Sequence, residues 1–104
     1  MAALNLVAKL IRNHKLVMFS KTFCPFCLKA KATFKNVGVS DMKVVELDED
    51  KNGVSLQQTL SYLTGRNTVP SVFVGGRFIG GETETDELHR SGKLTEILKT
   101  NNIL

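Results

Sequence analysis

The sequence predicts an α/β fold: a four-stranded mixed sheet flanked by helices on both faces. Three observations predict it. Short runs rich in valine and phenylalanine, at 16–20, 43–47 and 71–74, alternate with stretches whose apolar residues recur at helical spacing. The segment between the first two runs is long enough for a helical crossover, which makes those strands parallel neighbours. Gly75-Gly76 then separates two strand-like runs by a tight turn, which makes an antiparallel hairpin.

Each element has a local reason. A helix over about 3–14 puts Ala3, Val7, Leu10, Ile11 and His14 on one face. The first strand is 16–20. A second helix starts near Pro25, a residue suited to the first helical position, and ends before Gly38. Its Cys27, Ala30, Phe34 and Val37 share a face. The second strand is 43–47, and a helix over 54–64 buries Leu56, Leu60 and Leu63 before stopping at Gly65. Strands at 71–74 and 77–79 follow. Gly80-Gly81 opens a helix over 83–91, Gly92 breaks it, and Leu94, Ile97 and Leu98 form the last apolar face. The 104 residues suit one domain, 1–104, with no repeats or linkers.

Composition narrows the function classes. A hydrophobic content of 42% supplies a core without disulfide staples, and two cysteines would be a thin framework. A bridge between residues three apart closes too short a loop to stabilise much, so the pair reads as a reagent of a reducing compartment. No apolar run approaches the roughly 20 residues that span a bilayer. Residues 1–15 lack acids, as a transit peptide would, but their helical spacing assigns them to the domain, and a soluble, cytoplasmic protein is expected. The net charge is +4, and no acid precedes Asp41 while seven lysines and arginines do. Most of these are solvated helix faces. Together they also set a positive field that favours thiolate and anionic substrates. Aromatic interleaving and nucleic-acid motifs are absent from the sequence.

Both cysteines lie in Lys21-Thr22-Phe23-Cys24-Pro25-Phe26-Cys27, at a strand-to-helix turn, where such a pair reads as a redox motif. Cys24 stands at or just before a helix N-terminus. Unpaired N–H groups and the positive end of the helix dipole there favour its thiolate, and Lys21 adds a full positive charge. Cys24 is then a nucleophile and, in a mixed disulfide, a good leaving group. Cys27 falls on the apolar face, less exposed, placed to attack a mixed disulfide on Cys24. A zinc site would need four ligands, and His14 and His89 have no ligand spacing.

Other segments are less decisive alone. In Thr68-Val69-Pro70 the proline suits a strand's start. It is either a trans proline ending a loop or a cis bond facing the cysteines, with Val69 free to pair with an extended substrate. Gly80-Gly81-Glu82-Thr83-Glu84 allows close backbone approach and anion binding, or is a loop with Thr83 and Glu84 in a first helical turn. Asp48 to Gly53 matches the start of a calcium loop. Leu56 and Thr59 stand at its ninth and twelfth positions, so a plain loop with Asn52 as a helix cap is the better reading.

Taken together, Cys24-Pro25-Phe26-Cys27, Thr68-Val69-Pro70 and Gly80-Gly81 resemble the glutaredoxins in order and spacing. The Lys21-Thr22 lead-in and Leu88-His89-Arg90-Ser91-Gly92-Lys93-Leu94 are similar too, and the resemblance runs over about residues 4–100. It implies a thioredoxin-like fold and an oxidoreductase that uses glutathione as cosubstrate. The substrates implied are protein–glutathione mixed disulfides and protein disulfides. The role implied is electron transport in cell redox homeostasis, by a monomer served by the glutathione reductase system. By position, Cys24 matches the nucleophile and Cys27 the resolving cysteine, with Lys21 and Pro70 completing the catalytic set. Lys21 and Gln57 match residues that contact the glycine carboxylate of glutathione. Thr68, Val69 and the cis-proline Pro70 match the strand that pairs with its cysteinyl part. Thr83 and Glu84 match the pair after the double glycine that holds the γ-glutamyl end, and Gly81 and Phe26, which keeps a ring beside the site, complete the glutathione-binding set.

Three departures stand out. Phe26 replaces the usual tyrosine and Asn67 a residue that is often basic, so carboxylate binding would lean on Lys21. Glu84 replaces the commoner aspartate and has a longer reach. Two other functions compete. A dimer could hold a [2Fe–2S] cluster on two Cys24 thiolates and two glutathiones, which Pro25 and Phe26 disfavour. A reductase fed by a flavoprotein usually carries a tryptophan before the cysteines, and this chain has no tryptophan.

Overall fold

The computed structural model describes residues 2–104. In chain order the elements are α1 (Ala2–Asn13), β1 (Leu16–Ser20), α2 (Pro25–Asn36), β2 (Lys43–Glu46), α3 (Gly53–Thr64), β3 (Ser71–Val74), β4 (Arg77–Gly80), α4 (Glu82–Arg90) and α5 (Lys93–Thr100). The four strands form one mixed sheet in the order β2-β1-β3-β4. β1 runs parallel to β2, with Val17 opposite Lys43 and Ser20 opposite Glu46. It runs antiparallel to β3, with Leu16 opposite Val74 and Phe19 opposite Ser71. β3 and β4 form the hairpin that Gly75-Gly76 closes, with an irregular register between Val72 and Phe73.

The sheet separates two apolar layers. Val17 and Phe19 of β1 pack with Val7 of α1, Leu56 and Leu60 of α3, and Phe73 of β3. Leu16 and Met18, on the opposite face, pack with Ala30 and Phe34 of α2, Val72 and Val74, and Leu94 and Leu98 of α5. All five residues of β1 are therefore buried, as expected for a strand covered on both faces. Burying each large side chain here contributes about 1.5–3 kcal/mol.

The sequence expectations need four adjustments. His14 lies beyond the end of α1 and is exposed, since the helix stops at Asn13. Leu63 is half exposed, because α3 presents Leu56 and Leu60 to the sheet and leaves Leu63 at the margin. Asn52 occupies the N-cap position of α3 but makes no capping bond with its side chain. α4 begins at Glu82, one residue early, with Gly81 at its N-cap and Thr83 and Glu84 in its first turn.

The antiparallel pairing of β1 with β3 positions the site. The end of β1 lies opposite the start of β3, so the loop after Ser20 and the segment before Ser71 meet at one end of the sheet.

Candidate active site

Cys24 has an extended backbone, φ −92° and ψ 115°, and is the N-cap of α2, with Pro25 in the first turn. Its N–H donates to the Lys21 carbonyl at 3.2 Å, and its own carbonyl accepts from Leu28 N–H at 3.1 Å. The Cys27 N–H donates to Cys24 Sγ at 3.3 Å. One of the orphan N–H groups of the helix start thus points at the sulfur, as an N-cap oxygen would receive it. The Cys24 thiol in turn reaches the Val69 carbonyl at 3.8 Å. Cys24 is 9% exposed and Cys27 is fully buried, and both are free thiols. Burial, reinforced by the neighbouring Cys24 sulfur, pushes the Cys27 thiol above its ordinary pKa. The two cysteines therefore differ in access: Cys24 keeps a small exposed edge, and Cys27 is fully buried behind it.

The lead-in loop is anchored from outside. Thr22 N–H donates to Asp48 Oδ1 at 3.0 Å, and the Thr22 hydroxyl donates to Asp48 Oδ2. These two bonds hold the Asp48 carboxyl below its usual range, and the Lys21 charge adds to the effect. The acidic stretch that resembled a calcium loop is thereby accounted for. Asp48 faces Thr22, and Asp50 Oδ1 accepts from Asn52 N–H at 2.8 Å. Among the described residues no three His, Cys, Asp or Glu side chains gather to hold a metal ion.

Opposite Cys24, the Val69-Pro70 peptide bond is cis. β3 begins only at Ser71, so Val69 lies outside the strand ladder. A groove of about 200 Å³ runs past it, lined by Phe26, Arg66, Thr68, Val69, Pro70, Gly81, Glu82, Thr83 and Glu84. Phe26 is 63% exposed at its edge. Seven residues assigned from sequence thus meet: Phe26, Thr68, Val69, Pro70, Gly81, Thr83 and Glu84. Cys24 adjoins them through Val69. Lys21 and Gln57, both half-buried, do not line this groove.

The floor of the groove depends on the double glycine. Gly80 has φ +116°, and a Cβ there would sit 2.6 Å from Glu84 Cβ. With no side chain in the way, Glu84 Oε1 folds back to accept the Gly81 N–H at 2.8 Å. The same oxygen accepts from Arg66 Nη1 at 2.7 Å. The Arg66 guanidinium, with the Gly81 N–H, lowers the Glu84 pKa to about 2. Sequence reasoning missed Arg66, and its only signal was a cation one place before the expected one. It also passed over Glu82, which is buried. Glu82 Oε1 lies 3.6 Å from Lys29 Nζ, a charge pairing too long to be a hydrogen bond, and so it has no hydrogen-bond partner.

This geometry suits thiol–disulfide exchange: a nucleophilic sulfur at a helix start, a second thiol behind it, and a groove with an open backbone edge and fixed charges. The comparisons agree. Residues 16–79 match the family model described as glutaredoxin. Glutaredoxin-C4 of Arabidopsis thaliana is 45% identical over 92 residues, spanning 88% of this chain and 67% of that protein. The crystal structure of the holo form of glutaredoxin C1 from Populus tremula x tremuloides is 42% identical, with a TM-score of 0.92 over 97% of this chain and 99% of that one. The buckwheat glutaredoxin–glutathione complex is 38% identical, with a TM-score of 0.95 over 99% of this chain and 93% of that one. Likeness in sequence and in backbone, over nearly the whole length, makes this chain a member of the glutaredoxin family.

Proposed function

We propose that the chain reduces protein–glutathione mixed disulfides through Cys24, with glutathione as cosubstrate, and protein disulfides through Cys24 and Cys27 together. The observation that carries this reading is the Cys24 sulfur at the start of α2, 3.3 Å from the Cys27 N–H and 3.8 Å from the Val69 carbonyl. An extended glutathionyl group pairing with Val69 would bring its sulfur to Cys24.

In the first step the Cys24 thiolate attacks the glutathione sulfur. A bond forms between Cys24 and glutathione, and the protein sulfur leaves as a thiolate that takes up a proton. In the second step the thiolate of another glutathione attacks the glutathione sulfur carried by Cys24. Oxidised glutathione leaves and the Cys24 thiolate returns. Two electrons pass from two glutathiones to one mixed disulfide. In the dithiol branch Cys24 forms a mixed disulfide with a protein. Cys27 loses its proton, attacks Cys24, and the protein thiolate leaves. The raised pKa of Cys27 keeps it protonated until then.

The proposal extends to setting: a cytoplasmic monomer, re-reduced by way of the glutathione reductase system, serving electron transport to glutathionylated or disulfide-bearing proteins. Support for the compartment is that the chain's two cysteines form a short-loop pair suited to exchange rather than a stabilising framework. Support for a monomer is that nucleophile and groove lie in one chain. Among the described residues no helix is long and apolar enough to cross a membrane.

The test is glutathione-dependent release of glutathione from a glutathionylated peptide. Cys24→Ser is expected to lose all turnover, while Cys27→Ser keeps it for mixed disulfides and loses it for protein disulfides. A Cys24→Ser protein that still turns over sinks the mechanism. Visible absorbance in anaerobically purified protein, with no turnover, would instead favour the cluster-holding dimer.

A further inference from the structure

We infer that Asp48 is a positioning residue for the reaction at Cys24, acting through Thr22 to hold the turn that carries the nucleophile. The inference deepens the glutathione reading above and rests on it for the reaction.

Residues 21–24 form a turn closed by the Cys24 N–H, which donates to the Lys21 carbonyl at 3.2 Å. The centre of this turn has little packing of its own: Thr22 is exposed, and Phe23 is 72% exposed. Asp48 supplies the missing anchor with a forked grip. Its Oδ1 accepts the Thr22 N–H at 3.0 Å, and its Oδ2 accepts the Thr22 hydroxyl. One such bond would leave the peptide plane free to swing. Two bonds from one carboxylate to two groups of one residue fix both place and tilt, and the carboxylate charge strengthens each.

The grip is as firm as the backbone behind it. Asp48 follows Leu47, whose N–H donates to the Ser20 carbonyl at 2.8 Å, one step past the last β1–β2 pair, Ser20 and Glu46. Leu47 is buried, and Gly53 packs closely against its carbonyl. The sheet therefore carries the carboxylate to a loop 26 residues away in sequence. Cys24 lies two residues beyond the gripped Thr22. Its sulfur sits 3.3 Å from the Cys27 N–H and 3.8 Å from the Val69 carbonyl, and a shift of the turn would move it against both.

Charge alone argues the other way. The Asp48 carboxylate interacts with Lys21, so it offsets the cation expected to favour the Cys24 thiolate. If charge were its role, removing Asp48 would speed the reaction. If position is its role, removing it slows the reaction.

The experiment follows single-turnover release of thiol from a glutathionylated peptide by the reduced chain, read as a maximal rate and a half-saturating peptide concentration. Asp48→Ala is expected to cut the maximal rate roughly tenfold, the scale of a misplaced reacting atom, while the half-saturating concentration holds. Thr22→Val, which removes only the hydroxyl bond and no charge, should slow it in the same direction by a smaller factor. Thr22→Ser keeps the hydroxyl and should keep most of the rate. The double variant should be no slower than Asp48→Ala, since the two residues act as a unit. The Cys27 amide proton resonance, which senses the Cys24 sulfur, should move in Asp48→Ala and Thr22→Val and stay in place in Thr22→Ser. Far-ultraviolet ellipticity checks that each variant is folded, and if Asp48→Ala is not, the two Thr22 variants decide. A faster reaction in Asp48→Ala would make Asp48 a modulator of charge and overturn the inference. Unchanged rates, or losses that add in the double variant, would overturn it too. If the unsubstituted chain releases no peptide, the glutathione reading falls instead. The Cys27 amide then still decides the role of Asp48, and an unmoved resonance overturns it.

Discussion

At Cys24 three influences meet on one sulfur atom: the Cys27 N–H, the Val69 carbonyl and the start of a helix. The nucleophile was legible in the sequence because proline after cysteine and an apolar strand before it fix a helix start there. Arg66 was not legible, because its partner Glu84 is distant in sequence and becomes a neighbour only after the hairpin folds. Two carboxylates at this scale carry a pH consequence. Asp48 and Glu84 both have pKa values below the ordinary 3.8 and 4.5, Glu84 at about 2. A lowered carboxylate pKa contributes stability that is fully present above the unfolded value and lost as pH falls through the folded one. The wild type should therefore lose thermal stability more steeply than Asp48→Asn or Glu84→Gln between about pH 4.5 and pH 2. The variants should melt lower at pH 7 and converge with the wild type near pH 2. Parallel melting curves across that range would show that neither carboxylate is anchored as described.

Among the elements, α2 and β1 were read from sequence to within a residue, because a proline start and an unbroken apolar run are strong local signals. The entry to α3 was less clear. Sequence pattern began it at 54, but the helix starts at Gly53, and the reason is a contact the pattern does not carry. A Cβ on Gly53 would lie 1.8 Å from the Leu47 carbonyl oxygen. Backbone meets backbone there, so neither side can yield by turning a side chain. Gly53→Ala is expected to destabilise the protein by about 1–3 kcal/mol or more, as overpacking does. A urea titration would show this as a lower midpoint with an unchanged slope. An unchanged midpoint would mean that the entry to α3 is looser than described. Leu63 and His14 taught the same lesson from the other side. Helical spacing places a residue on a face but does not say how far the opposing sheet reaches.

For the molecule as a whole, the order of elements gave the fold class and the parallel pair, but not the antiparallel register of β1 against β3. That register depends on which strand ends meet after collapse, and it is what brings Val69 to Cys24. The central strand has a consequence of its own. β1 is buried on both faces by separate apolar layers, and the reactive loop hangs directly from its last residue. Segments with such packing open only when the whole fold opens, while margins fray first. The reactivity of Cys24 is thus wired to the last part of the protein to come apart. Activity and far-ultraviolet ellipticity should fade along one curve in denaturant, and activity fading first would contradict it. Among reduced copies there would be no folded fraction whose reactive loop has come undone: a molecule either keeps Cys24 in place or has lost its fold.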